Sequence, residues 1–77
     1  MAVTDETIEE NILLYMKESL ARGDTPTRGG AIRHVTGEFP VLPSGVARVI
    51  TKMLEARTIQ HINNDALRFT PQPTSGL

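Results

Sequence analysis

The sequence predicts a mainly helical domain in which three helices precede a small β-hairpin, in the order α-α-α-β-β. Apolar residues recur at the i, i+3, i+4 spacing of a helix face in residues 5–22 and again in residues 43–57, with a shorter helical segment between them. Short alternating segments at 59–62 and 66–69 flank three turn-forming residues. We assign residues 1–70 to one domain and expect residues 71–77, which include two prolines, to form a disordered tail.

The first helix is expected to run from Asp5 to Ala21 or Arg22. Thr4 is a candidate N-cap, Gly23 is the expected stop, and the carboxylates of the opening turns suit the positive end of the helix dipole. The predicted inward stripe consists of Ile8, Ile12, Tyr15, Met16 and Leu20. Leu14 falls on nearly the opposite face. It is either a simple exposed leucine or a contact for a dimer or another partner.

The second helix follows a turn at 23–27, and either Thr25 ahead of Pro26 or Thr27 is its predicted N-cap. We expect it to end at Thr36 and Gly37 and to turn three apolar residues toward the core: Ala31, Ile32 and Val35.

Two glycines, Gly29 and Gly30, weaken this second helix by about 1 kcal/mol each relative to alanine. Packing must therefore hold the helix in place. A glycine pair at this position also favours close approach between helices.

The connection at 38–43 is longer than the tight turn of a minimal helix-turn-helix. Its two prolines stiffen it, and its apolar residues Phe39, Val41 and Leu42 are expected to pack beneath it.

The third helix, expected at about 43–57, separates its two faces most clearly. Its apolar face contains Val46, Val49, Ile50, Met53 and Leu54. Its polar face contains Ser44, Arg48, Thr51 and Glu55, with Lys52 at the edge. This polar face has the chemistry of a helix that reads DNA.

The predicted hairpin, 59–69, follows the third helix. Asn63, Asn64 and Asp65 tolerate turn geometry and lie between its strands. Leu67 and Phe69 alternate with Arg68, so the second strand is expected to bury one face and expose the arginine.

The net charge of −1 conceals an asymmetry along the chain. Residues 1–24 contain six carboxylates and two basic residues, a net charge of −4, whereas residues 25–77 contain six basic residues and three carboxylates, a net charge of +3. We therefore expect a basic face directed at an anion and an acidic face directed away from it.

These elements together resemble the winged helix-turn-helix family over roughly residues 5–70. The features that carry the resemblance are the helix started by Thr25-Pro26-Thr27 and ended by Val35-Thr36-Gly37, the spacing Ser44-x-x-x-Arg48-x-x-Thr51, the spacing Leu54-x-x-x-x-Ile59, and the two-stranded wing. The layout is most similar to small regulators of phages, plasmids and bacterial operons. The resemblance implies a sequence-specific regulator that binds double-stranded DNA.

The resemblance also implies a role for individual residues. The third helix would enter the major groove, where Arg48 reads a base, Ser44 and Lys52 contact phosphates, and Thr51 contacts a base methyl or a phosphate. Residues outside that helix would position the duplex: Arg28, Asn63, Asn64 and Arg68. A homodimer is expected, because a single domain of this kind reads few base pairs.

Two alternatives remain open. Arg48 or Lys52 can instead pair with Glu55, which would make this face an ordinary solvated helix surface. The near-neutral net charge, the few lysines and Leu14 are also compatible with a winged-helix protein-interaction module that does not bind DNA, such as an adaptor, a replication accessory factor or a phage inhibitor of a host protein.

Other function classes find little support in the composition. The chain has no cysteine, and its two histidines, His34 and His61, lack the spacing of a metal site, so neither a metal nor another cofactor is expected. The carboxylates of the first helical turns are expected to be exposed and unsuited to catalysis, and we predict no enzyme. No segment resembles a signal peptide or a membrane span, which favours a cytoplasmic location.

Overall fold

The computed structural model describes residues 3–63 and 65–70, and it has the predicted α-α-α-β-β order. The elements are α1 (Asp5–Ala21), α2 (Arg28–Glu38), α3 (Pro43–Glu55), β1 (Ile59–His61) and β2 (Leu67–Phe69). The strands pair antiparallel, with Ile59 opposite Phe69 and His61 opposite Leu67. Asn64 and the predicted tail at 71–77 lie outside the described residues.

Both predicted ends of α1 are confirmed. Thr4 is the N-cap, and its Oγ1 accepts a hydrogen bond of 3.2 Å from the Thr7 amide. At the other end Gly23 has a φ of 81°, which only glycine adopts without strain. This conformation lets the Asp24 amide reach the Ser19 carbonyl at 2.8 Å and close the last turn.

The predicted inward stripe of α1 is wrong at its last residue. Leu20 is 48% exposed, whereas Ser19 is buried in its place. The reason is geometric, because the core-facing line through Ile12 continues at the residue seven positions later, which is Ser19. Leu14 is exposed, as expected from its position on the opposite face.

Thr27 is the N-cap of α2, which decides between the two predicted caps. Its Oγ1 accepts a hydrogen bond of 2.9 Å from the Gly30 amide. The helix does not end at Gly37 as predicted but continues to Glu38, and the Phe39 amide still reaches the Val35 carbonyl at 2.9 Å.

Only four residues, 39–42, connect α2 to α3. Phe39 and Val41 pack against the core as expected, but Leu42 is 74% exposed and does not pack beneath the connection. Leu42 occupies the N-cap position of α3, where the backbone is extended and not yet helical.

The third helix ends at Glu55, two residues before the predicted boundary. Arg57 follows with a φ of 62°, and in this conformation the Thr58 amide reaches the Met53 carbonyl at 2.9 Å. A left-handed residue after the helix thus ends α3 as Gly23 ends α1, but here the residue carries a side chain.

The hairpin is fastened to the helices by a third extended segment that the sequence analysis missed. The Leu67 amide donates to the Pro26 carbonyl at 2.8 Å, and the Arg28 amide donates to the Asp65 carbonyl at 2.9 Å. Thr27 and Ala66 form an antiparallel bridge between these two bonds. The segment that begins α2 therefore lies beside β2.

The core lies between the three helices and the inner face of the hairpin. Its buried hydrophobic residues are Ile8, Ile12, Met16, Ala31, Val35, Val46, Val49, Ile50, Met53, Ile59 and Leu67. This set confirms the predicted apolar face of α3 except at Leu54, which is partly buried. Within the described residues, none of the helices is both long and apolar enough to cross a membrane.

Candidate nucleic-acid interface

The exposed face of α3 presents Ser44, Arg48 and Thr51 to solvent. These residues are spaced four and three positions apart, so they follow one line along the helix while Val46, Val49 and Ile50 are buried on the other side. Among residues 3–63 and 65–70, the Arg48 guanidinium makes no hydrogen bond or ion pair. Its donors are available to an external acceptor.

The N-terminal end of α3 adds a second feature that favours an anion. The N-cap is Leu42, which offers no side-chain hydrogen bond to the first amides of the helix. Pro43 has no N–H and the Gly45 amide donates to the Leu42 carbonyl at 3.0 Å, so the Ser44 amide and the helix dipole are what this end offers to a phosphate oxygen.

The other end of the same face is less suited to a phosphate. The Thr51 hydroxyl donates to the Ala47 carbonyl of its own helix at 3.1 Å, which leaves the methyl group for outside contacts. Glu55, one turn further on, is exposed and negative. The part of this face that suits an anion is thus limited to the first turns of α3.

Lys52 has a partner within the chain that the sequence did not predict. Its Nζ lies 3.1 Å from Asp5 Oδ2 on α1, and within the described part of the chain neither Lys52 nor Arg48 pairs with Glu55. The alternative of a face closed by ion pairs with Glu55 therefore does not hold for this structure.

The contact also corrects the expectation that acidic and basic faces point apart. Asp5, Glu6 and Glu9 line a pocket of about 200 Å³ that also contains Lys52 and Met53. The acidic start of α1 thus lies directly beside α3. A negative border runs along the edge of the face that Ser44, Arg48 and Thr51 form.

A larger groove opens between the start of α1 and the start of α3. It has a volume of about 500 Å³ and is lined by Val3, Asp5, Ile8, Val41, Leu42, Ser44, Gly45 and Arg48. Arg48 therefore lies at the border between the exposed face of α3 and a partly apolar groove, and its guanidinium can contact a ligand bound to either surface.

Arg28 is half-buried at the first position of α2. Its amide is bonded to the Asp65 carbonyl, and the Asp65 carboxylate lies close enough that a Cβ at Gly29 would be 3.8 Å from its Oδ2. A carboxylate of the hairpin thus flanks the start of α2 and weakens the attraction of Arg28 for a phosphate.

The predicted wing residues are placed in different ways. Arg68 is exposed on the outer face, where its Nε donates to Gln60 Oε1 across the strands at 3.1 Å. Asn63 uses its side-chain oxygen to accept from the amides of Asp65 and Ala66, so its first role is to form the turn. Ile62 is exposed near the tip, which the sequence analysis did not anticipate.

The two histidines lie apart from this face. His34 packs beside Tyr15 with the ring centroids 5.5 Å apart, and His61 is exposed at the end of β1. Across residues 3–63 and 65–70, no group of three or more potential metal ligands comes together.

The structure brings Ser44, Arg48 and Thr51 onto one face, puts Lys52 at its acidic edge, and places Arg28 next to the hairpin. Comparison with known proteins identifies no matching family, no matching curated protein and no matching solved structure. The geometry of α3 and its surroundings is therefore the basis for inferring a function.

Proposed function

We propose that this protein is a sequence-specific double-stranded DNA-binding protein, a transcriptional regulator of the prokaryotic or phage type. The observation that carries the proposal is the Arg48 guanidinium, which lies on the exposed face of α3 between Ser44 and Thr51 and has no hydrogen-bond or ion-pair partner among the described residues. A helix with exposed hydrogen-bonding side chains along one line fits the width of the DNA major groove.

In this proposal α3 lies in the major groove with its N-terminal turns deepest. Arg48 donates two hydrogen bonds to one guanine, a contact worth about 1–3 kcal/mol of discrimination against other bases. The Ser44 hydroxyl and amide hold a phosphate with the help of the helix dipole, and the Thr51 methyl packs against a thymine methyl.

The remaining predicted residues position the duplex. Arg68 on the outer face of the hairpin contacts the sugar-phosphate backbone, and Arg28 supports it from the start of α2. Asn63 contributes through the turn that it forms, because that turn sets the reach of the wing. We propose further that the protein acts as a homodimer in the cytoplasm and has no catalytic activity.

A second candidate function is a protein-interaction module on the same scaffold. The negative border of Asp5, Glu6 and Glu9 beside α3 repels phosphates, and the partly apolar groove with its exposed Leu42 suits a protein side chain. This candidate requires that Arg48 act through the groove and not through DNA.

The test is a fluorescence-anisotropy titration of the full chain against a pool of random duplexes at two salt concentrations, followed by selection from the pool. We expect binding that weakens as salt rises and enrichment of one sequence. Arg48→Ala should abolish the preference for that sequence.

Arg22→Ala is the matched control, because it removes the same charge from the end of α1, where Arg22 pairs with Asp24. It should retain the sequence preference. Absence of binding at low salt, or an Arg48→Ala variant with unchanged preference, would overturn the proposal and favour the protein-interaction module.

A further inference from the structure

The outward face of α1 is a helix surface that the other described residues leave exposed. Leu14 and Leu20 are each 48% exposed, Ala21 is exposed, and Leu13 is only partly buried. Leu14 and Ala21 lie on the side of α1 farthest from the core, whereas Leu20 lies on the flank and Leu13 packs partly against the core while keeping an exposed part. Apolar side chains thus extend from the flank of α1 onto its solvent-facing side.

The charges on this face are arranged with a simple symmetry. Glu10 lies three residues before Leu13, and Lys17 lies three residues after Leu14. A seven-residue separation returns to within about 20° of the same line, so both charges lie on the uncovered face. They are about 10 Å apart along the helix axis and cannot pair with each other within one chain.

We infer that this face binds a second copy of the chain, with the two α1 helices packed antiparallel about a two-fold axis between Leu13 and Leu14. In this arrangement Glu10 of each copy faces Lys17 of the other. The leucines meet at the centre, and two identical ion pairs flank them.

The occupant is a second copy because the patch complements itself. In a two-fold interface, each residue of one copy faces the residue of the other copy that lies equally far from the centre in the opposite direction along the sequence. The side chains at these two positions must therefore attract each other or pack together. Glu10 and Lys17 are equally distant from the Leu13–Leu14 midpoint and have opposite charges. A parallel pairing would instead place Glu10 against Glu10 and Lys17 against Lys17, which like-charge repulsion disfavours.

The area of the face indicates the strength of the dimer. One pair of 17-residue helices buries less than the ~1,200 Å² of a standard stable interface, and its flanking ion pairs are exposed to solvent. We therefore expect reversible dimerisation with a dissociation constant on the order of tens of micromolar.

Sedimentation equilibrium of the full chain, between about 5 and 500 micromolar and without DNA, tests the inference. Glu10→Lys and Lys17→Glu should each remain monomeric at concentrations where the unaltered chain dimerises. An equimolar mixture of the two variants should associate, because each then supplies the charge that the other lacks. The double variant E10K/K17E should dimerise again.

Glu38→Lys is the matched control, since it reverses an exposed charge at the end of α2, on a different helix from this face, and should leave dimerisation unchanged. A thermal melt by circular dichroism verifies that each variant is folded. An unaltered chain that is monomeric throughout the range, a mixture that fails to associate, or single variants that dimerise like the unaltered chain would each overturn the inference. The inference rests on the homodimer of the proposed function. Since no DNA is present, a negative result overturns this interface, whereas DNA binding is judged separately by the anisotropy titration.

Discussion

The Lys52 ammonium lies 3.1 Å from the Asp5 carboxylate and joins the last turns of α3 to the first turn of α1. Both side chains are exposed, so the pair contributes little to stability. Its importance comes from its location, because it places a negative charge at the edge of the face on which Arg48 lies. The pair therefore opposes the binding of phosphate on that side.

Asp5→Asn should tighten binding to duplex DNA about two- to fivefold at low salt, because it frees Lys52 and removes one carboxylate from the border. Titration at several salt concentrations measures the effect, which should shrink as salt rises. Glu18→Gln removes an equal charge from another part of α1 and is the control. Equal affinity of Asp5→Asn and the unaltered chain would show that the border does not face the duplex.

Arg48 and Lys52 should differ in the kind of binding that they support. Lys52→Ala should weaken binding to all sequences to a similar extent, because it leaves the Asp5 carboxylate without its counter-charge at the edge of the face. Arg48→Lys should reduce the preference for the selected sequence more than it reduces overall affinity, because an ammonium cannot make the planar pair of bonds to guanine. The hypothesis of base reading by Arg48 fails if Arg48→Lys keeps the full preference.

Gly30 is required by the close approach of α1 to α2. A Cβ at this position would collide with the Tyr15 hydroxyl and crowd Thr27 Oγ1, so Gly30→Ala should destabilise the domain by about 1–3 kcal/mol. Gly37→Ala, on the same helix but with open space around it, should instead stabilise the domain by up to about 1 kcal/mol.

Chemical denaturation of both glycine variants measures these opposite effects. Adding Tyr15→Phe to Gly30→Ala should recover part of the loss, because it removes the colliding oxygen. Similar stability of the two alanine variants would show that the contact with Tyr15 does not require a glycine at position 30.

Arg57 occupies the left-handed position after α3 that Gly23 occupies after α1. A left-handed backbone is unfavourable for a residue with a Cβ, so Arg57→Gly should stabilise the domain by about 0.5–1 kcal/mol even though glycine is more flexible when unfolded. Gly23→Ala should destabilise it by a similar amount. Thermal melts that shift in the same direction for both variants would contradict this account.

Some of the candidate site follows from local sequence. The positions Ser44, Arg48 and Thr51 are defined by helical periodicity, because the apolar residues between them must face the core and leave these three in solvent. The caps at Thr4 and Gly23 are local as well, since each depends only on hydrogen bonds within a few residues.

Other features depend on segments that are distant in the chain. The partner of Lys52 is 47 residues away, and no periodicity within α3 relates it to Asp5. The bridge between Thr27 and Ala66 also joins residues that are far apart in the chain. It involves too few residues for the sequence to predict a strand there. The burial of Ser19 follows the core-facing line of α1 although serine is polar, and the exposure of Leu42 follows from its N-cap position although leucine is apolar, so residue type alone predicts neither.

The sequence by itself determined the order of the elements, the apolar and polar faces of α3 and most of the core, because helical period, strand alternation and capping act over a few residues. Only the tertiary structure decided that the acidic start of α1 lies beside α3, that Gly30 meets Tyr15, and that the segment before α2 pairs with the hairpin. These contacts arise when the helices pack around a shared core, and packing brings together residues whose separation along the chain carries no periodic signal.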